Sequence, residues 1–253
     1  MSALWTVWRK EMLEAVRSRR LLGVTATLFV FGAASPLLAR LTPQILQLLP
    51  GAEAFAALVP EPSLADAVAQ YLKNQSQFGI LLAILTSMGA VVQEKERGTA
   101  AMVLCKPLPR WAFIAGKFMA IGASFLLALA VGAVAGYYYS EVLFGGLGLG
   151  RWLAANMLLL TWLLVHAAMT LLFSTLGRSQ LVAGGGGFGM LAVLGLLGSV
   201  PGLQRWLPAA LLGWAARLCL GGGGPAWPAL VVSLALTFLS LIGACVALER
   251  QEI

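Results

Sequence analysis

The sequence predicts an all-α polytopic integral membrane protein. It has six transmembrane helices, an N-terminal interfacial helix and a short cytoplasmic helix between the second and third crossings. Three observations lead there. Of the 253 residues, 60% are hydrophobic and 11% charged, with a mean hydropathy of +0.88. A soluble domain carries about 25% charged residues, so a soluble core of this composition would lack the polar surface to cover it. The chain also holds six apolar stretches of the length needed to cross a bilayer, about 20 residues for roughly 30 Å of hydrocarbon. Finally, its basic residues fall between those stretches with a strong bias to one side. No independent soluble domain is expected, and residues 1–253 read as a single membrane domain.

Residues 3–17, ALWTVWRKEMLEAVR, come first. Trp5, Trp8, Met12 and Val16 share one helical face, and Lys10, Glu14 and Arg17 share another. That suits a helix lying at the membrane surface, tryptophans at headgroup level and bases toward anionic lipid. A secretory signal peptide is not expected, because the basic run follows this helix and no small-residue cleavage site follows the apolar run. Arg19 and Arg20 then anchor crossing one, about residues 21–39, with Pro36 as its kink or exit.

An outer segment follows, with Pro43, Pro50, Pro60 and Pro62. Its Ser63-Leu64-Ala65-Asp66 resembles a capping box opening a short helix. Crossing two covers about 75–92. Residues 93–112 form a charged connector, and crossing three runs over about 113–139. Tyr137, Tyr138 and Tyr139 mark its outer boundary, since rings with a polar end favour the headgroup level. Crossing four, about 152–176, is separated from crossing five, about 181–200, by only four residues, so the two are antiparallel neighbours. Crossing five holds seven glycines, which permit close helix approach but also weaken a continuous helix. A second outer segment, 201–228, leads to crossing six at about 229–248. Trp5, Trp8, Trp111, Trp152, Trp206 and Trp227 lie near these boundaries and read as interface anchors.

Of the 17 Lys and Arg, those placed outside are Arg40, Lys73, Arg151, Arg205 and Arg217. All the others fall on the side of the two termini and the connector, which orients both ends toward the cytoplasm. The same placement explains the net charge of +7 without nucleic acid, since no aromatic ladder accompanies the bases.

No catalytic set is present. Gly116-Lys117 lacks the upstream glycine and the following Ser or Thr of a phosphate loop. Cys105, Cys219 and Cys245 form neither a redox pair nor a metal cluster. No cofactor or metal is expected in this chain. His166, the only histidine, and Asn156 lie within crossing four. Each is either a hydrogen-bonded packing residue or a substrate or gating contact, and no mid-span carboxylate accompanies them to form a proton relay.

The connector stands apart. Glu94, Lys95, Glu96 and Arg97 form an alternating charge run, Gly98-Thr99 bends the path, and Ala100 to Leu104 can form a short apolar helix face. Pro107 and Pro109 stiffen the exit before Arg110 and Trp111. Such an element can seat in a partner's groove.

With Trp8-Arg9-Lys10-Glu11, Glu94-Lys95-Glu96-Arg97-Gly98-Thr99, Pro107-Leu108-Pro109-Arg110-Trp111 and Gly116-Lys117, the chain resembles the membrane subunits of type-2 exporter ABC transporters. The resemblance implies a permease that pairs with a second copy of itself. It implies two copies of a cytoplasmic ABC ATPase that carry ATP and Mg, contact with the lipid bilayer, and an inner-membrane location. A periplasmic or accessory protein is a further expected partner. The residues assigned to ATPase coupling are Glu94, Lys95, Glu96, Arg97, Gly98, Thr99 and Arg110. Ala100-Ala101 departs from the large apolar residue and acid common there, and the outer segments are small for a macrolide-type exporter. One branch of the family resembles the membrane subunit supporting copper-site assembly in nitrous-oxide reductase, and the N-terminal opening is compatible with it. A scaffold or sensor that docks a cytoplasmic partner without moving cargo is the alternative class.

Overall fold

The computed structural model describes residues 3–48, 61–98 and 109–251. The elements are α1 (Ala3–Arg17), α2 (Arg20–Gln47), α3 (Leu64–Met88), α4 (Val92–Glu96), α5 (Arg110–Leu143), α6 (Leu149–Leu176), α7 (Gln180–Gly198), α8 (Ala210–Cys219) and α9 (Trp227–Glu249), with a 3-10 turn at Gln204–Trp206. No strand occurs among the described residues. Six helices, α2, α3, α5, α6, α7 and α9, are long and apolar enough to cross a membrane. The protein is an all-α polytopic membrane protein.

Several helices outrun the stretches expected from hydropathy. Pro36 does not close crossing one, because α2 continues through both Pro36 and Pro43 to Gln47. Beside each proline a hydroxyl bonds back one turn: Ser35 donates to the Phe31 carbonyl and Thr42 to that of Leu38. The Ser63 capping box is formed, with the Ser63 hydroxyl accepting from the Asp66 amide and Asp66 accepting from the Ser63 amide. It opens no separate outer helix, however: α3 runs 25 residues from Leu64 into the crossing. At 34 residues, α5 is about 51 Å long at 1.5 Å per residue, so it projects past the roughly 30 Å of hydrocarbon.

Two groups of helices organise the bundle. In the first, α2 and α1 both pack on α5; in the second, α7, α8 and α9 pack on α6. Between them lies α3, against α2 on one side and α6 on the other. The first group closes where α2 crosses α5. A Cβ on Gly32 would stand 2.4 Å from the Gly132 carbonyl oxygen, so only glycine allows this crossing. In α7 the glycines do not interrupt the helix. A Cβ on Gly186 would strike the Phe173 ring at 2.5 Å and one on Gly187 the Thr170 hydroxyl at 2.5 Å, whereas Gly185 faces open space. Close packing on α6 therefore explains part of the run.

Polar side chains fasten α3 to its neighbours. Asn74 donates to the Ser35 hydroxyl at 2.9 Å and Gln75 to the Leu28 carbonyl at 2.9 Å. Tyr71 donates to Asn156 at 2.7 Å. Trp152 is buried, not an interface anchor: its ring lies 4.4 Å from Tyr71 and its indole N–H donates to the Ala133 carbonyl. Its place at the start of α6 turns it inward, against α3 and α5. Trp5, Trp111, Trp206 and Trp227 remain exposed. The helix α8 was unforeseen; its Leu211, Trp214, Ala215 and Cys219 face inward.

Candidate functional site

The charged connector begins where α3 stops. Ser174 of α6 holds that break, donating to the Met88 carbonyl at 2.7 Å and accepting from the Val91 and Val92 amides at 3.1 and 3.2 Å. The short α4 follows. At its end Gly98 has φ +69°, the left-handed region that glycine enters freely. Thr99 and the residues to Leu108 lie outside the described residues, including the expected helix face at 100–104. Chain description resumes at Pro109, whose carbonyl opens α5 by accepting from the Ala112 amide.

Glu94 and Lys95 point in opposite directions. Glu94 turns toward α1 and α5, where its Oε1 accepts from Lys117 at 2.9 Å and from Lys10. Glu11 of α1 completes a closed arrangement, accepting from Lys117 at 2.8 Å and from Lys10 at 3.2 Å. Two ammoniums and two carboxylates thus alternate around a ring drawn from three chain segments. Lys117 is 2% exposed and Glu11 nearly as deep, so these charges are held by one another and not by water. Burial works against the Lys10 ammonium, but its hydrogen bond to Glu94 and the charges of Glu11 and Glu94 outweigh that, placing its pKa above the ordinary 10.5.

Close approach makes the ring reachable. Val7, Glu11 and Ala15 are the buried positions of α1, one turn apart, and they lie on α5. A Cβ on Gly116 would stand 2.6 Å from Val7, so a glycine here lets α1 settle beside Lys117. The apolar residues Trp5, Leu13 and Val16 of α1 stay exposed. Hydropathy alone does not place Glu11 on a packing face, since a carboxylate inside is unexpected. Its occurrence in the same motif set as Gly116-Lys117 was the available signal.

Lys95 turns the other way, donating to the Thr175 carbonyl at the end of α6 and to the Gln251 side chain at 2.5 Å. Gln251 in turn donates to the same carbonyl at 3.1 Å. Arg110 donates to the Leu248 carbonyl at 2.7 Å, satisfying an oxygen left open at the C-terminal end of α9. Of the residues expected at the connector, Glu94, Lys95 and Arg110 are therefore engaged inside the chain. Glu96, Arg97 and Gly98 are exposed.

A cavity of about 300 Å³ opens beside the ring, lined by Lys10, Glu14, Arg20, Gln93, Arg97 and their neighbours. Carboxylates of Glu11, Glu14 and Glu94 come near enough to one another to suit a cation. Lys10 and Lys117 already supply the positive charge there, so the donor set does not call for a metal.

Asn156 and His166 are apart from this cluster, in the buried middle of the bundle. Asn156 accepts from Tyr71 and donates to the Trp152 carbonyl at 3.0 Å. His166 is joined through Nδ1 to the Trp162 carbonyl at 2.9 Å, with its ring tilted on the Trp162 ring. Asn156 also borders an apolar groove of about 440 Å³ between α5 and α6.

Six helices long enough to span a membrane and a charged connector bound to both sides of the bundle define a polytopic membrane protein. Residues 5–205 match the family described as ABC-2 family transporter protein, and the chain belongs to that family. It is 26% identical to the uncharacterized transmembrane protein YxlG of Bacillus subtilis (strain 168) over 226 residues, which cover 88% of this chain and 87% of that protein. It is 30% identical to the probable ABC transporter permease protein NosY of Pseudomonas aeruginosa over 139 residues, 52% of this chain and 43% of NosY. The putative transport permease YvfS of B. subtilis shares 21% identity over 196 residues, 73% of this chain and 78% of that one. As a family member the chain is a non-catalytic membrane permease subunit of the ABC transporter type.

Proposed function

We propose that this chain is the membrane half of an ATP-driven exporter, coupled to a separate ATPase through α4 and α1. The observation that carries this reading is the division of the charge run. Glu94 and Lys95 secure the connector to the bundle, while Glu96 and Arg97 are left on the surface for a partner. A short helix fixed at its base and charged at its tip can be pushed without unfolding. In this reading two ATPase copies, which bind ATP and Mg, serve a pair of permeases in the inner membrane, and the connector and both termini face the cytoplasm. Glu96, Arg97, Gly98 and Thr99 form the contact, with Glu94, Lys95 and Arg110 behind it. Asn156 and His166 are packing residues in this scheme, since each has intrachain partners. Service to metalloenzyme cofactor maturation is a narrower form of the same function, supported by the N-terminal resemblance and by the partial likeness to NosY.

The test is affinity recovery of the tagged chain from gently solubilised native membrane, with co-purifying chains identified by mass spectrometry. An ATPase recovered near one copy per permease, and its loss from the Glu96→Lys, Arg97→Glu double variant, is the expected result. Repeated recovery of folded permease without an ATPase would overturn the coupling reading and favour a scaffold.

A further inference from the structure

The ion ring and the Lys95 contacts together do more than anchor a loop. α4 is attached to the first helix group through Glu94 and to the second through Lys95. The helix that carries it, α3, packs against α2 of the first group and α6 of the second, and α5 itself also touches α6 and α9. At the centre of the Glu94 side sits Lys117, a buried ammonium on α5 that reaches Glu11 of α1 and Glu94 of α4 at nearly equal distances.

We propose that Lys117 is a positioning residue that holds the N-terminal helix and the connector as one unit on the foot of α5. Lys95 closes the same unit onto α6 and the end of α9. The device is a two-sided clasp: displacement of α4 is passed to α5 with α1 attached, and to α6, in a single movement. A lysine suits the central place because one ammonium can donate to two carboxylates from different segments. Removing it takes one ammonium from both carboxylates at once, so both attachments loosen together. Removing Glu94 frees only the connector, because Glu11 keeps its bond to Lys117. The consequence for transport rests on the coupling reading above; the clasp itself does not.

Hydrogen–deuterium exchange of the full chain in lipid nanodiscs separates these claims. Lys117→Met is expected to raise exchange in both 3–17 and 92–98 by about tenfold or more, while Glu94→Gln raises it in 92–98 alone. Native-level protection of either segment in Lys117→Met would overturn the hub. Should Lys117→Met fail to fold, Glu94→Gln carries the test, and no loosening of 92–98 overturns the proposal. In the complex with its ATPase, Lys117→Met should keep the partner bound yet lose about tenfold of the permease-dependent ATP turnover, a change that each 1.4 kcal/mol of lost coupling would produce. Native turnover with both segments loosened would sink the transmission claim. Failure of the native chain to recover any ATPase would instead overturn the coupling reading, leaving exchange to judge the clasp.

Discussion

Within the bundle, a phenol and an amide join two helices that hydropathy alone treats as featureless. Tyr71 gives its only proton to Asn156, and Asn156 gives one of its own to the Trp152 carbonyl. A buried polar group deprived of its partner costs more than the bond itself is worth. Tyr71→Phe should therefore lower stability by about 1–3 kcal/mol by leaving the Asn156 oxygen unmet. The double variant Tyr71→Phe, Asn156→Leu should lose less than the two single losses combined. Thermal unfolding in detergent reads both, and strictly additive losses would show that the pair does not act together. The same logic makes the ring at Lys117 costly to open from one corner, since a buried charge stripped of its partner is worse placed than a neutral group. Neither pair was legible beforehand. Asn156 was recognised as polar in an apolar crossing, but Tyr71 is 85 residues away, and nothing local announces such a distance.

For single elements, periodicity located the helices and misjudged their ends. Prolines 36 and 43 look like exits because the ring removes a donor and crowds the preceding turn. In α2 the chain continues through both, held by packing on α5. Glycines in α7 look like weak points for a similar local reason, and the tertiary contact decides otherwise. Gly187→Val should force α7 off Thr170 and Ile84 and cost about 1–3 kcal/mol, whereas Gly185→Ala, with open space around it, should change stability by less than about 1 kcal/mol. Equal losses at the two sites, measured by thermal unfolding, would mean that propensity and not packing controls this helix. In α1 the sequence pattern singles out the face of Trp5, Trp8, Met12 and Val16, but the face that packs is Val7, Glu11 and Ala15.

For the whole molecule, six spans and the lopsided placement of bases were readable at once, because bilayer thickness sets segment length and charge resists crossing. That charge bias predicts the orientation, and the prediction has a direct check. A cysteine placed at Ser179, in the α6–α7 turn, should react with an impermeant thiol reagent only after the cell membrane is opened. One placed at Gln204, in the segment after α7, should react in intact cells. The reverse pattern would invert the topology and with it the side on which an ATPase could dock.

Composition and hydropathy by themselves determined the membrane class, the number of crossings and the existence of a charged connector, since each depends on local properties of a continuous stretch. The motif residues marked where the connector lies and which family it belongs to. Only the tertiary structure decided that Glu94 and Lys95, adjacent in the chain, serve opposite halves of the bundle. It alone brought Glu11, Glu94 and Lys117 together. Those outcomes depend on which helices come into contact. In a bilayer, where lipid is as apolar as the helix surfaces, contact is chosen by close glycine crossings and by rare polar pairs, and a hydropathy pattern carries no record of either.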